Sequence, residues 1–210
     1  MQITHYGHAC LLVQTGSARL LIDPGTFSSG FELLPELTAV LITHQHIDHL
    51  DVQRLPALLA ANPDAALVAD TASAQQLAER GITARAVQPG ERLEFGGTVV
   101  QTVGGEHAVI HPDIPNIPNI GYLVDGTLLH PGDSFHVPDD RVDVLALPTG
   151  APWLKAAEAV DYLRAVSPRL AVPIHEAVLA RPQMHYGLFE RLAPDGCTVR
   201  VLTPAEPTNL

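Results

Sequence analysis

The sequence predicts an α+β or α/β protein in which β-sheets pack face to face and helices lie outside them. Three observations carry this expectation. Strand-like segments dominate the N-terminal half, and strands and helices alternate through the rest. Several apolar, β-branched runs lack any inside–outside alternation, the mark of strands covered on both faces. No linker or charge block divides the 210 residues, so one domain spanning residues 1–210 is expected.

The elements follow in order. Residues 9–14 and 18–23 read as strands joined by a turn at Thr15-Gly16-Ser17. A loop rich in Gly, Ser and Pro runs from Pro24 to Pro35, and Thr38–Thr43 is a buried strand. Leu55–Ala61 reads as a helix with Pro56 in its first turn, ended by Asn62-Pro63. Ala66–Ala69 is a short strand, and Thr71–Arg80 a helix with Asp70 as N-cap and Gly81 beyond its end. Strands at Arg92–Phe95 and Thr98–Val103 flank Gly96-Gly97. The segment HPDIPNIPN, residues 111–119, reads as a loop, because proline breaks helices and central strands. Ile120–Val124 and Thr127–His130 flank Asp125-Gly126, a strong hairpin signal. A strand at Val142–Leu147, a helix at Lys155–Val166, a strand at Leu170–Ile174, a helix at Tyr186–Leu192 and a strand at Thr198–Leu202 complete the reading.

Composition excludes several classes. Apolar residues make up 46% and charged residues 17%, the reverse of a disordered chain. The net charge of −11, with Lys155 the single lysine, argues against nucleic acid as a partner. No apolar run reaches the length of a membrane span, so no membrane partner is expected. Two cysteines make no disulfide framework, and the N-terminus shows no leader pattern; a cytoplasmic setting is the expectation. The chain holds 11 histidines, and their placement carries the functional reading.

The central feature is His44-Gln45-His46-Ile47-Asp48-His49, four metal-ligand side chains in six residues directly after a buried strand. In extended backbone, alternate residues share a side, so His44 and His46 reach one cation, and a turn at Ile47-Asp48 swings Asp48 and His49 toward a second. One loop cannot close two such sites. Other apolar strands also end in His or Asp: at Asp23, at Glu106-His107, at His130 and Asp133, and at His175. Strand ends that converge on one sheet edge are where such folds place their sites.

This order of motifs (HxHxDH, a downstream His, a Gly-Asp after a strand, a late His) resembles the metallo-β-lactamase superfamily. Tyr6-Gly7-His8-Ala9-Cys10 and Leu21-Ile22-Asp23-Pro24 are similar to its branch of small metal-dependent hydrolases that includes the ascorbate-6-phosphate lactonase group. The resemblance implies an αββα four-layer sandwich with two mixed sheets and helices on the outer faces. It implies that His44, His46 and His107 hold one divalent metal, that Asp48, His49 and His175 hold another, and that Asp133 bridges them. His107 is preferred to His111 as the middle ligand because it follows a strand, whereas His111 opens the proline-rich loop. Asp23 is expected to orient the ligand loop rather than touch metal. His8 and His130 are expected either to reach the pocket or to make structural hydrogen bonds.

Two cations side by side suit hydrolysis of a small ester, lactone, amide or phosphoester by a shared hydroxide, with Asp48 as the catalytic carboxylate that orients it and takes up its proton. Zinc is the first choice of metal, with manganese or iron as alternatives, since the ligands are imidazoles and carboxylates without thiolate. Trp153 is a candidate apolar wall, and Lys155 and Arg181 are candidate cations for an anionic small-molecule substrate. The alternatives are a non-catalytic metal-binding sensor or scaffold and, with less support, a nuclease; association into a homo-oligomer is also open.

Overall fold

The computed structural model describes all 210 residues. The first half of the chain forms β1 (Gln2–His5), β2 (Leu11–Thr15), β3 (Ala18–Ile22), β4 (Ala39–Ile42), α1 (Leu55–Ala61), β5 (Ala66–Ala69), α2 (Thr71–Ala78) and β6 (Arg85–Ala86). The second half forms β7 (Arg92–Phe95), β8 (Thr98–Glu106), β9 (Pro118–Val124), β10 (Leu128–His130), β11 (Val144–Pro148), α3 (Ala156–Val166), β12 (Leu170–Ile174), α4 (Gln183–Leu192) and β13 (Thr198–Val199), and β14 (Thr208–Asn209) follows. Two seven-stranded sheets result, in the orders β14-β1-β2-β3-β4-β5-β6 and β13-β12-β11-β10-β9-β8-β7. Each mixes antiparallel hairpins with a parallel run, β3 to β6 in one and β10 to β13 in the other.

The packing explains why the buried strands hide their period. In β4, Ala39 and Leu41 face the other sheet, within a core that also takes Val13, Leu20, Ile22, Tyr122, Val144 and Val172. Val40 and Ile42 face the opposite way, against Leu55 and Leu58 of α1 and Leu77 of α2. The second sheet does the same: Leu145, Leu147 and Ala171 turn outward onto Ala159 and Leu163 of α3 and Phe189 of α4. Both strand faces are therefore apolar, and the period of two vanishes from the sequence. The result is the expected α+β sandwich, helices outside and two sheets within. No helix is long and apolar enough to cross a membrane.

Local chemistry sets the turns. Asp125 and Gly126 take φ of 49° and 61°, the left-handed pair that a tight hairpin between β9 and β10 requires. Asp70 caps α2 by accepting from the Ala72 and Ser73 amides. Three readings are corrected. Pro118 and Asn119, assigned to the loop, open the central strand β9 opposite Glu106 and Gly105. Proline is tolerated there because it is the strand's first residue. The strand read over Thr198–Leu202 stops at Val199 and is not the last, since β14 follows at Thr208–Asn209, and α4 starts three residues earlier than read, at Gln183.

Candidate metal centre

Five strands deliver the candidate residues at their C-terminal ends: β3 runs into Asp23, β4 into Thr43 and His44, β8 into His107, β10 toward Asp133, and β12 into His175. The two sheets are tied together at this edge. Tyr122 Oη donates to the Ile42 carbonyl at 2.8 Å, the Ile120 amide donates to the Thr43 carbonyl at 2.9 Å, and the His175 amide donates to the His8 carbonyl at 2.8 Å. Three of the seven non-glycine residues at positive φ are His8, Asp23 and His175. Such strain costs about 1–3 kcal/mol per residue and collects where geometry is fixed for a purpose.

Two groups of ligand atoms form, each within 4.8 Å: His44, His46, His107 and Asp133, and His8, Asp48, His49 and His175. The Asp133 carboxylate lies between them. Its Oδ1 is 3.0 Å from His49 Nε2 and 3.2 Å from His175 Nε2; its Oδ2 is 3.3 Å from His107 Nε2 and 3.9 Å from His44 Nε2.

The ring tautomers show what this arrangement fits. His107 Nδ1 faces the Ala108 carbonyl at 2.5 Å, His175 Nδ1 the Gly150 carbonyl at 2.6 Å, and His49 Nδ1 the Asp23 carboxylate at 2.7 Å. Those partners only accept, so each Nδ1 carries the proton. Thr43 Oγ1 gives its proton to Asp23 Oδ2 at 2.7 Å, so it accepts from His44 Nδ1 at 3.0 Å. While these rings are neutral, the Nε2 atoms of all four are therefore lone pairs, aimed at one another, at His46 Nδ1 and at a carboxylate. His49 Nε2 and His175 Nε2 stand 3.1 Å apart, and His107 Nε2 and Asp133 Oδ1 have no hydrogen-bond partner. Acceptors converging on acceptors in a buried site need positive charge between them. Imidazole and carboxylate without thiolate are the donor set of divalent first-row cations, which these residues fit.

The protonation tendencies express the same demand. Burial alone would lower His49 and His175, but the Asp133 carboxylate, joined by Asp23 for His49, raises both. Burial would raise Asp133, yet His49 and His175 hold it well below the usual carboxylate range. Burial and the neighbouring imidazoles lower His44 and His46. Asp48 is brought down to about 2 against its own burial, first by the hydrogen bond from His8.

His8 differs from the other rings. The Ala177 amide donates to its Nδ1 at 3.3 Å, so Nε2 carries the proton and donates to Asp48 Oδ2 at 3.0 Å. Burial keeps the ring neutral by lowering its pKa. His8 thus holds Asp48 rather than presenting a lone pair to a cation. Asp23 accepts from the Thr43 amide, the Thr43 hydroxyl and His49 Nδ1, and so fixes the start of the ligand loop. His130 stays structural: its Nε2 donates to the Ala9 carbonyl at 2.8 Å and its Nδ1 accepts from the Gly132 amide. Trp153 Nε1 donates to Asp133 Oδ2 at 2.7 Å. His111 is exposed beside Asp113, apart from the cluster. Lys155 is also apart: its side chain is 83% exposed, faces Glu158 and lines neither cleft beside the cluster. Arg181 is exposed and lines neither cleft.

Three supporting residues escaped the sequence reading. Thr43 looked like one more β-branched strand residue, although its place between the strand and His44 was a usable signal. Asn119 was absorbed into the loop; its amide donates to the Pro131 carbonyl and its Oδ1 accepts from the Asp133 amide. Glu176, next to His175, accepts from the His8 amide. Close backbone approach adds a constraint at Gly25, where a Cβ would lie 1.8 Å from the Asp48 carbonyl oxygen. Gly25→Ala must displace the ligand loop. It is expected to destabilise at or beyond the top of the about 1–3 kcal/mol range of ordinary overpacking. Chemical denaturation of the metal-free chain measures this, and an unchanged midpoint would contradict the packing described.

Comparison with known proteins gives the family and the fold. The family model described as Beta-lactamase superfamily domain matches residues 2–175. Protein Rv0786c of Mycobacterium tuberculosis is 57% identical over 185 residues, with 86% of each chain covered. A UPF0173 metal-dependent hydrolase of Pyrobaculum arsenaticum is 33% identical over 198 residues, covering 83% of this chain and 84% of its own. Among solved structures, the metallo-beta-lactamase fold protein YhfI from Bacillus subtilis gives a TM-score of 0.75 at 18% identity, over 99% of this chain and 98% of its own, a likeness of fold. Fold, clustered ligands and relatives define the class as metal-dependent hydrolase. Within that class, the chain belongs to the beta-lactamase superfamily.

Proposed function

We propose that this hydrolase works with two divalent cations, zinc first among the candidates with manganese or iron as alternatives, on a small ester, lactone or phosphoester. His44, His46 and His107 would hold one cation and Asp48, His49 and His175 the other, with Asp133 shared. The observation that carries this reading is the convergence of bare Nε2 atoms on the Asp133 carboxylate, each fixed by a partner on its far nitrogen. When bound, such cations supply a water of lowered pKa and a Lewis-acid contact for the oxygen that gains charge.

The chain's own residues do the rest. Asp48, ionised down to about pH 2 and held by His8, accepts a hydrogen bond from the attacking water and fixes its direction. With so low a pKa it orients the nucleophile better than it stores a proton. Trp153 holds Asp133 in register and walls the approach to it. His46 and Asp48 are the partly exposed members of the set and face a cleft of about 730 Å³, the way in for a small-molecule substrate. A lactone stands among the candidate substrates because Tyr6-Gly7-His8 and Ile22-Asp23-Pro24 are similar to the branch that includes the ascorbate-6-phosphate lactonase group; the feature carried over is the reacting ring, not a phosphate.

The test is metal analysis followed by assay of lactones, a phosphomonoester and a phosphodiester. The loaded chain is expected to turn over at least one class, and His46→Ala to lose about 100-fold or more, since removing even a supporting partner of a metal ligand costs about 10–100-fold. A His46→Ala protein that binds metal and hydrolyses like the parent would refute the assignment.

A further inference from the structure

The cleft of about 730 Å³ has two ends of different chemistry. One end is the cation site, at His46 and Asp48. The other is the α2 side, where Gln75 and Gln76 of the helix and Glu79 just past its end line the cleft, together with Gln45 of the ligand loop and the apolar Ile110 and Trp153. None of the three glutamine carboxamides is engaged in a hydrogen bond with the protein, and Gln76 Oε1 is buried without any partner. Glu79 makes no ion pair. No lysine or arginine lines this cleft, nor the neighbouring one of about 690 Å³ on the other side of Trp153, whose charged residues include Glu106 and Glu158.

A buried, unpaired carboxamide oxygen costs free energy until a donor reaches it. A carboxylate lining the same cleft without an ion-pair partner favours a donor or a positive charge and repels an anion. Cations at the reacting end attract an ester or lactone oxygen whatever the far end carries, so the selection made by α2 concerns the far end alone.

Resting on the hydrolase reading above, we propose that the α2 face determines specificity. It selects substrates whose far end carries N–H or O–H donors, such as hydroxyl, amide or ammonium, and rejects those ending in phosphate or carboxylate. The anionic substrate expected from Lys155 and Arg181 is thereby replaced, because neither side chain reaches the cleft.

A matched set of probes tests this: the 4-nitrophenyl esters of 6-hydroxyhexanoic acid, 6-aminohexanoic acid and hexanedioic acid, which share the reacting bond and differ at the far end. With the metal-loaded protein, kcat/KM for the hydroxyl and ammonium esters is expected to exceed that for the carboxylate ester by about tenfold or more, the discrimination an unpaired polar group can enforce. Glu79→Lys is expected to narrow or invert that ratio with metal content unchanged. The corresponding amides, 6-hydroxyhexanamide, 6-aminohexanamide and the monoamide of hexanedioic acid, give a second readout by saturation-transfer NMR binding, which needs no turnover. If none of the esters is hydrolysed while the amides bind in the stated order, the ester reading fails and this inference stands. Equal or tighter binding of the carboxylate-ended amide, or a ratio that Glu79→Lys leaves unmoved, overturns the inference.

Discussion

Asp133→Ala is expected to abolish metal retention and hydrolysis while leaving the metal-free chain folded. The carboxylate is 2% exposed and faces four imidazoles, with Oδ1 toward His49 and His175 and Oδ2 toward His107 and His44. Its sole side-chain hydrogen bond is accepted from Trp153. If the carboxylate were a structural anion, its removal would unfold the protein with or without metal. If its partners are cations, removal costs the metal-free chain some stability but leaves it folded, and takes away the whole of the stabilisation that loading provides. The parent should therefore gain melting temperature on addition of metal, as any ligand that binds only the folded state requires, and the variant should not. Activity should fall by about 100-fold at least, more than the loss of a supporting partner alone. A variant that still melts higher on loading and retains turnover would contradict the shared-ligand role.

Asp23→Asn is the second large effect, and it acts at a distance from any cation. Asp23 is fully buried and accepts three hydrogen bonds, from the Thr43 amide, the Thr43 hydroxyl and His49 Nδ1. Asparagine keeps the size and tolerates φ of 52°, but it replaces one acceptor oxygen with a donor. A donor then faces a donor in a buried place, at a cost of about 1–3 kcal/mol. The same change frees His49 and, through Thr43, His44 to take the other tautomer, which turns a proton rather than a lone pair toward the metal. Metal affinity should drop by about 10–100-fold with the fold intact. Competition with a chelator of known affinity measures this, and an unchanged dissociation constant would show that the Asp23–Thr43 contacts do not set the tautomers.

Much of this was legible in the chain because ligand chemistry is concentrated in few residue types. Four ligating side chains in six residues, and strands ending at Asp23, His107, Asp133 and His175, pointed to one sheet edge, and the structure brings those side chains together. The strands were legible as apolar runs, but their pairing was not, since both faces are buried and the pattern carries no register. What stayed hidden were the residues acting through backbone geometry. Asn119 sits in a proline-rich stretch that reads as loop, and its role depends on the Asp133 amide arriving from β10. His8 looked like a second-rank histidine, and only the Ala177 amide on its Nδ1 shows which nitrogen carries the proton. Lys155 and Arg181 line neither cleft beside the cluster: their charge was visible in the sequence, but their direction was not.

Bare imidazole nitrogens from both sheets surrounding a pair of cations at Asp133 are the centre of the proposed chemistry. Anomalous scattering from a metal-loaded crystal, with metal content per chain measured on the same preparation, addresses this most directly. Two peaks are expected to flank the Asp133 carboxylate, one against His44, His46 and His107 and the other against Asp48, His49 and His175, with His8 on neither. A reloaded chain that holds no metal, or peaks lying away from these side chains, would contradict it.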